Sequence, residues 1–307
     1  MERNRENTMY NVQKMYQMLS DMDIKSDYHI HSNFSGDGMY SVKEIFHKAE
    51  EYDLRGISIT DHDCIEGTCQ ARSLIESGSY NFDVISGIEL TTYLNDKFIH
   101  ILGYGFDPYA KTDLTEMLDC INEKRIMNVD NTIRKIIAAG LKINIDDFKK
   151  DIEKHVPMIS TYGKYILQNP ENFDNPILKP YLRNGSKSTN ASINFAMDFM
   201  TSGRPLYVEE YKVSVEEGVQ AISESGGIAV VAHPGLWLEE KHLSMLKKLI
   251  KNGLVGIEVF TPYHTDEQCK FYSKIADEYG LLKTHGSDYH GSRVKPHNKL
   301  GVFEQTD

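Results

Sequence analysis

Short apolar runs that end in polar residues alternate with helical spacing along the first third of the chain. SDYHIH at 26–31 reads as a strand, with successive side chains on opposite faces. SVKEIFHKAEEYDL at 41–54 has helical spacing, with Ser41 as N-cap and Glu44 completing a capping box. RGISITDHD predicts a strand that stops at Asp61-His62-Asp63, and a helix follows near Glu66–Ser77. FDVISGIEL at 82–90 predicts a third strand and KFIHILGYGF at 97–106 a fourth. This rhythm predicts a mostly parallel sheet or barrel.

From about Asp107 the pattern changes, and helical spacing dominates 112–140, 146–155 and 161–168. The stretch 169–190, NPENFDNPILKPYLRNGSKSTN, is rich in Asn, Pro and Ser and predicts a long loop. The strand–helix rhythm resumes at GGIAVVAHPG, then GLVGIEVFTPYH and LLKTHGSDYHG. Near the start, Met9, Val12, Met15, Tyr16 and Leu19 recur at helical spacing and predict a short amphipathic helix. The expected division is a helical extension at 1–24, a barrel from 25–106 and 226–307, and a helical insert at 107–225.

Charge narrows the partners. The 307 residues carry 34 basic and 45 acidic side chains, a net charge of −11. Such a surface repels phosphate backbones, so no long nucleic acid is expected. A small phosphorylated substrate fits if metal ions supply local positive charge. Cys64, Cys69, Cys120 and Cys269 form no CxxC pair, which argues against a disulfide framework or a zinc–thiolate site. No run reaches about 18 apolar residues and no apolar signal core opens the chain, so the expectation is a cytoplasmic protein without a membrane span.

The candidate chemistry sits where apolar strands end. His29 and His31 close the first, His62 follows the second, Glu89 and His100 lie in the next two, and His233, Asp288 and His290 follow later ones. Asp27, His29 and His31 share one strand face, a set that suits a metal better than a core. Active sites of alternating barrels lie at the C-terminal strand ends. Nitrogen and carboxylate ligands without thiolate suit manganese, iron or zinc. With Asp37 in the SGDG loop the candidates are too many for one ion, and suit two or three divalent ions with a carboxylate bridging a pair.

DYHIHSNFSGDG, ITDHD, SGIEL, IHILGYGFD, AHPG and HGSDYHG together resemble the PHP (polymerase and histidinol phosphatase) family, over roughly residues 25–302. IHILGYGFD, the helical insert, GRPLYV at 203–208 and GLVGIEVFTPYH resemble one branch, that of the nucleoside 3′,5′-bisphosphate phosphatases and a related 5′→3′ exonuclease on short RNA. The resemblance implies a distorted, TIM-like (β/α)7 barrel with three metals at the strand ends. It implies that His29, His31 and Asp288 hold the first, with Glu89 bridging to a second completed by His100 and His233. Asp37, His62 and His290 would hold the third. The family's first motif has Ser followed directly by Asp; here Gly36 intervenes, and glycine lets the loop bulge so that Asp37 still reaches.

The expected reaction is hydrolysis of a phosphomonoester of a small nucleotide, with a metal-bridging hydroxide as nucleophile. Glu89 and Asp288 would act through the metals. His264 is a candidate, by position alone, for protonating the leaving group. Asp61 and Asp63 either orient ligands or cap the following helix. Lys164 and Arg204 are candidates for gripping a second phosphate, and Trp237 is expected to pack under the rim. The alternatives are a histidinol-phosphate phosphatase, a 5′→3′ exonuclease on short RNA and, outside the enzymes, a metal-binding regulatory module.

Overall fold

Three short parallel strands, β1 (Ser26–Ile30), β2 (Gly56–Ile59) and β3 (Asp83–Val84), form the first sheet, in the order β1-β2-β3. The structure is a computed structural model that describes residues 12–22, 25–94, 97–153, 156–238 and 242–303. Helices α2 (Val42–Glu51) and α3 (Glu66–Glu76) make the crossovers. α2 starts at the expected capping box: the Ser41 hydroxyl accepts from Glu44 N, and the Glu44 carboxylate accepts from Ser41 N. Its Ile45, Phe46 and Ala49 bury against Ile30, Ile57 and Ile59. α3 starts at Glu66, but neither Asp61 nor Asp63 caps it; its N-cap is Ile65, with no side-chain bond.

The second sheet runs β4 (Gly87–Leu94), β5 (Lys97–Tyr104), β6 (Ile228–Val231), β7 (Leu254–Phe260), β8 (Leu282–His285). The β4–β5 and β5–β6 pairs are antiparallel, and β6–β7 and β7–β8 are parallel. The described strands therefore number eight in two sheets, where seven in a mostly parallel barrel were expected. Two residues separate β4 from β5, too few for a crossover, so the pair must fold back on itself. FDVISGIEL is two strands rather than one. Between them the Ser86 hydroxyl donates to Phe106 O, and Ser86 O accepts from Gly105 N. Single bridges, His62 to Glu89 and Ile30 to Tyr289, join the two sheets.

Between β5 and β6 lie α4 (Asp113–Ala138), α5 (Ile145–Ile152), α6 (Ile159–Gln168), α7 (Ala191–Phe199) and α8 (Val215–Glu224). The first half of α4 (Leu114, Leu118, Ile121) and α8 (Val219, Ile222) pack on Ile88, Leu90, Ile101 and Val231 of the second sheet. The later part of α4 (Val129, Ile133, Ile136) builds a separate core with Phe148, Tyr162, Ile166 and Phe195. The stretch 169–190 is not an open loop. Asn169 and Asn175 cap 3-10 turns at Pro170–Asn172 and Pro176–Leu178, and Leu178 and Tyr181 bury in that second core. Proline's fixed φ and asparagine's local hydrogen bonds make such turns.

α1 (Val12–Ser20) buries Met15, Met18 and Leu19 against Tyr28, Leu102, Tyr104 and Ile228; Met9 lies outside the described residues. α9 (Leu243–Lys251) and α10 (Asp266–Tyr279) cover the outside of β7. Among the described residues no helix is long and apolar enough to cross a membrane.

At the end of β8, His285 is buried and shares a 2.8 Å hydrogen bond with the Ser26 hydroxyl. Burial pushes its pKa down to about 4. The unfolded chain then takes up a proton near pH 6.5 that the fold resists, so stability is lost as pH falls from about 6.5 to 4, by an amount on the order of 3 kcal/mol. His285→Gln is expected to flatten that part of the acid profile. Thermal midpoints of both proteins at pH 5 and pH 7.5 check this, and an unchanged slope in the variant would sink it.

Candidate metal centre

The polar strand ends meet in one buried cluster. His29, His31, Glu89 and Asp288 place ligand atoms within 4.8 Å of one another, as do His31, Asp37, His62 and His290, and as do His62, Glu89 and His100. His233 joins through its Nε2, 2.9 Å from Glu89 Oε1. These groups overlap more than the implied assignment: His31, His62 and Glu89 each belong to two of them.

Glu89 is the centre of the arrangement, and its two oxygens face different histidines. Oε2 lies 3.2 Å from His29 Nε2, 3.0 Å from His31 Nε2 and 3.2 Å from His62 Nδ1. Oε1 lies 3.0 Å from His100 Nδ1 and 2.9 Å from His233 Nε2. A carboxylate so placed fits a bridge between two ions.

The donor set fits cations on its own terms. His29 Nε2, His31 Nε2, Asp37 Oδ1, His62 Nδ1, Glu89 Oε2, Asp288 Oδ1 and His290 Nε2 are all buried without a hydrogen-bond partner. Each such orphan costs about 1–3 kcal/mol, more when charged, unless something binds it. The set is nitrogen and carboxylate oxygen, which suits divalent manganese, iron or zinc.

Neighbouring groups fix which nitrogen faces inward. His29 Nδ1 bonds Glu258 Oε1 at 2.9 Å, and His290 Nδ1 bonds the Asp288 carbonyl at 3.0 Å. His31 Nδ1 lies 3.0 Å from the Ser35 hydroxyl, whose own hydrogen goes to Asp61 Oδ1 at 2.8 Å, so Ser35 accepts from His31. With Nδ1 so engaged, each of the three rings is held to offer Nε2 as a lone pair to a bound cation. Asp61 thus orients a ligand through Ser35, and also accepts from Ser32 N and Oγ at 2.6 Å each. Gly67 leaves it space, since a Cβ there would fall 1.9 Å from Asp61 Oδ2. Asp63 ties elements together: Oδ1 accepts from Thr91 N, and Oδ2 from Arg125 Nη2, at 2.6 Å each.

Burial alone would raise the Glu89 pKa, but His100, His29 and His62 hold it well below the carboxylate range. Asp288 is likewise depressed against its burial, by Lys295, His290 and His29. Asp63, His233 and Asp288 have φ of 50°, 26° and 52°, in the left-handed region that non-glycine residues avoid. Strained backbone of this kind clusters at working sites.

Not every expected residue points inward. Asp27 lies outside the cluster groups and joins the strand to the loop of Asp288, accepting from Ser287 N at 3.0 Å, Ser287 Oγ at 2.5 Å and Gly301 N at 2.8 Å. His264 is buried and hydrogen-bonded at both ring nitrogens. Its Nε2 accepts from Gly235 N at 2.9 Å and its Nδ1 donates to Val259 O at 2.7 Å, so the ring ties the His233-Pro234-Gly235 turn to β7. Lys164 faces Asp151 at 3.7 Å, and Arg204 is an exposed turn residue; neither has a contact with the cluster in the described geometry. Trp237 packs against the core beneath the second sheet.

Four residues escaped the sequence reading. Glu258 on β7 is fully buried behind His29 and His233, and an acid amid the apolar GLVGIEVF was the available signal. Lys295 and the Tyr263 hydroxyl each lie 2.5 Å from Asp288 Oδ2. Arg125 reaches Asp63 from the insert, and no local pattern marks it among the other cations of α4.

The family model described as PHP domain matches residues 27–262. Three curated proteins, each 27% identical, align over most of their length. One is a 3′,5′-nucleoside bisphosphate phosphatase of Chromobacterium violaceum, covering 86% of this chain and 86% of its own. Another is a phosphoribosyl 1,2-cyclic phosphate 1,2-diphosphodiesterase of Eggerthella lenta, covering 86% and 94%. The third is a 5′-3′ exoribonuclease of Haemophilus influenzae, covering 88% and 91%.

Proposed function

The chain belongs to the PHP domain family, as a metal-dependent phosphoesterase, and from that premise we propose that it hydrolyses the phosphomonoester of a small nucleotide such as a nucleoside 3′,5′-bisphosphate. The observation that carries a multi-ion phosphoesterase is Glu89, whose two oxygens face separate sets of imidazoles amid unpartnered ligand atoms. The two single bridges between the sheets support reading them as one distorted barrel.

His29, His31, Glu89 and Asp288 would hold one ion, and Glu89, His100 and His233 a second. Asp37, His62 and His290 would hold a third. Bound divalent ions supply a water of lowered pKa and neutralise charge on the phosphoryl oxygens. The protein's own part is to hold the ligand atoms fixed, through Glu258, Ser35 and Asp61, and to keep them in a buried, low-dielectric place.

The substrate is a finer matter, since the three relatives perform three different reactions at the same identity. Two features support a small one. The net charge of −11 opposes a long polyanion. The insert also reaches the site, for a Cβ at Gly36, beside Asp37, would lie 3.2 Å from Thr161 Oγ1 at the start of α6.

The test is phosphate release with added Mn²⁺ from adenosine 3′,5′-bisphosphate, AMP and histidinol phosphate. A 5′-phosphorylated dinucleotide and a ribose 1,2-cyclic phosphate complete the panel. The bisphosphate is expected to lead by at least about tenfold in kcat/KM, a difference of about 1.4 kcal/mol. Preferred cleavage of the dinucleotide would instead make the chain an exonuclease, and preferred opening of the cyclic ester a diesterase.

A further inference from the structure

The carboxylate of Glu258 serves two ligand residues at once. It sits on β7 with no exposed surface. Oε1 bonds His29 Nδ1 at 2.9 Å, and Oε2 accepts from the backbone N–H of His233 at 2.7 Å. Those two histidines lie on opposite sides of the central carboxylate: His29 Nε2 faces Glu89 Oε2, and His233 Nε2 faces Glu89 Oε1. Each bond answers a specific need. The first holds the His29 hydrogen on Nδ1 and so keeps its inward nitrogen a lone-pair donor. The second meets an N–H whose residue has φ 26° and ψ 59°, a backbone shape that side-chain-bearing residues rarely adopt. The fold also reserves the room, because a Cβ at Gly286 would fall 2.9 Å from Glu258 Oε1 and 2.2 Å from His29 Cβ.

We propose that Glu258 is a positioning residue that couples loading of the ion sites on the two sides of Glu89. The proposal rests on the multi-ion reading given above and is independent of the substrate. Its sharpest consequence comes from glutamine. An amide has one accepting end. Turned one way it serves His29 and sets its NH₂ against the His233 N–H. Turned the other way it serves His233 and donates to His29 Nδ1, which drives hydrogen onto Nε2 and removes a ligand atom. Either way Glu258→Gln supports one side only, and Glu258→Ala supports neither.

The experiment is a Mn²⁺ titration of the chelator-stripped full chain, by calorimetry and by metal content after dialysis, with no substrate present. Wild type is expected to take up two or three ions. Glu258→Gln should hold one fewer tightly, and Glu258→Ala should weaken ions on both sides by about 10–100-fold, the usual effect of removing a ligand's supporting partner. A merely structural role would lower the melting temperature while leaving stoichiometry and affinity as in wild type, and that result would overturn the proposal. So would identical losses in both variants. A wild-type chain that takes up no Mn²⁺ would sink the multi-ion reading and this proposal with it, whereas uptake without bisphosphate turnover would sink only the substrate assignment.

Discussion

Glu89→Gln is expected to leave a folded protein whose turnover falls by about a thousand-fold or more. Glutamine keeps the volume of a side chain with no exposed surface, so packing survives. What it removes is one of two accepting oxygens. His29, His31 and His62 surround Oε2, while His100 and His233 surround Oε1. Whichever end the amide NH₂ takes, one set loses its anionic partner and gains a donor that no cation tolerates. Phosphate release at saturating Mn²⁺, with circular dichroism to verify the fold, checks this. Activity within tenfold of wild type would remove Glu89 as a bridge. Glu89→Asp makes a graded companion: its shorter reach suits one set of imidazoles, so it should retain ion binding on one side and little turnover.

The strand-end placement of the cluster was legible because an apolar run that stops at His, Asp or Glu is hard to explain by packing. Asp37 was legible despite the extra glycine: Gly36 takes φ 77° and closes the preceding turn, which brings Asp37 Oδ2 within 3.6 Å of His290 and 3.8 Å of His62. The hairpin of β4 and β5 was written in the two-residue gap, but strand–helix rhythm alone suggested a parallel neighbour. Periodicity tells which face a residue shares and is silent on which ring nitrogen is already engaged. For His264, adjacent in sequence to Tyr263, the bonds to Gly235 and Val259 arise from segments that only the fold brings together. Lys164 and Arg204 rest on charge type alone within the insert. The insert cation that does contact the cluster's surroundings, Arg125, is distinguished only by what α4 faces at that turn.

Arg125 carries the second large effect, on stability. Its guanidinium, 11% exposed, lies 2.6 Å from the Asp63 carboxylate, whose side chain is 0% exposed. Arg125→Ala would leave that carboxylate buried and uncompensated, which costs about 3–5 kcal/mol, or roughly 6–10 °C in melting temperature for a chain of this size. The loss should spread to catalysis. Asp63 follows His62 directly, its N–H donates to Glu89 O, and its Oδ1 accepts from Thr91 N, so it fixes the β2 end against the strand that carries Glu89. Adding Asp63→Asn to Arg125→Ala should restore most of both, because asparagine still accepts from Thr91 N and no longer needs a cation. Melting curves and phosphate release across the four proteins of this cycle measure the coupling. If the two substitutions simply add, the ion pair is incidental to holding the insert on the site. If the double variant recovers, the pair is what registers the helical segment on the ligand cluster, and Arg125, one of four cations on α4, sets how firmly His62 and Glu89 face each other.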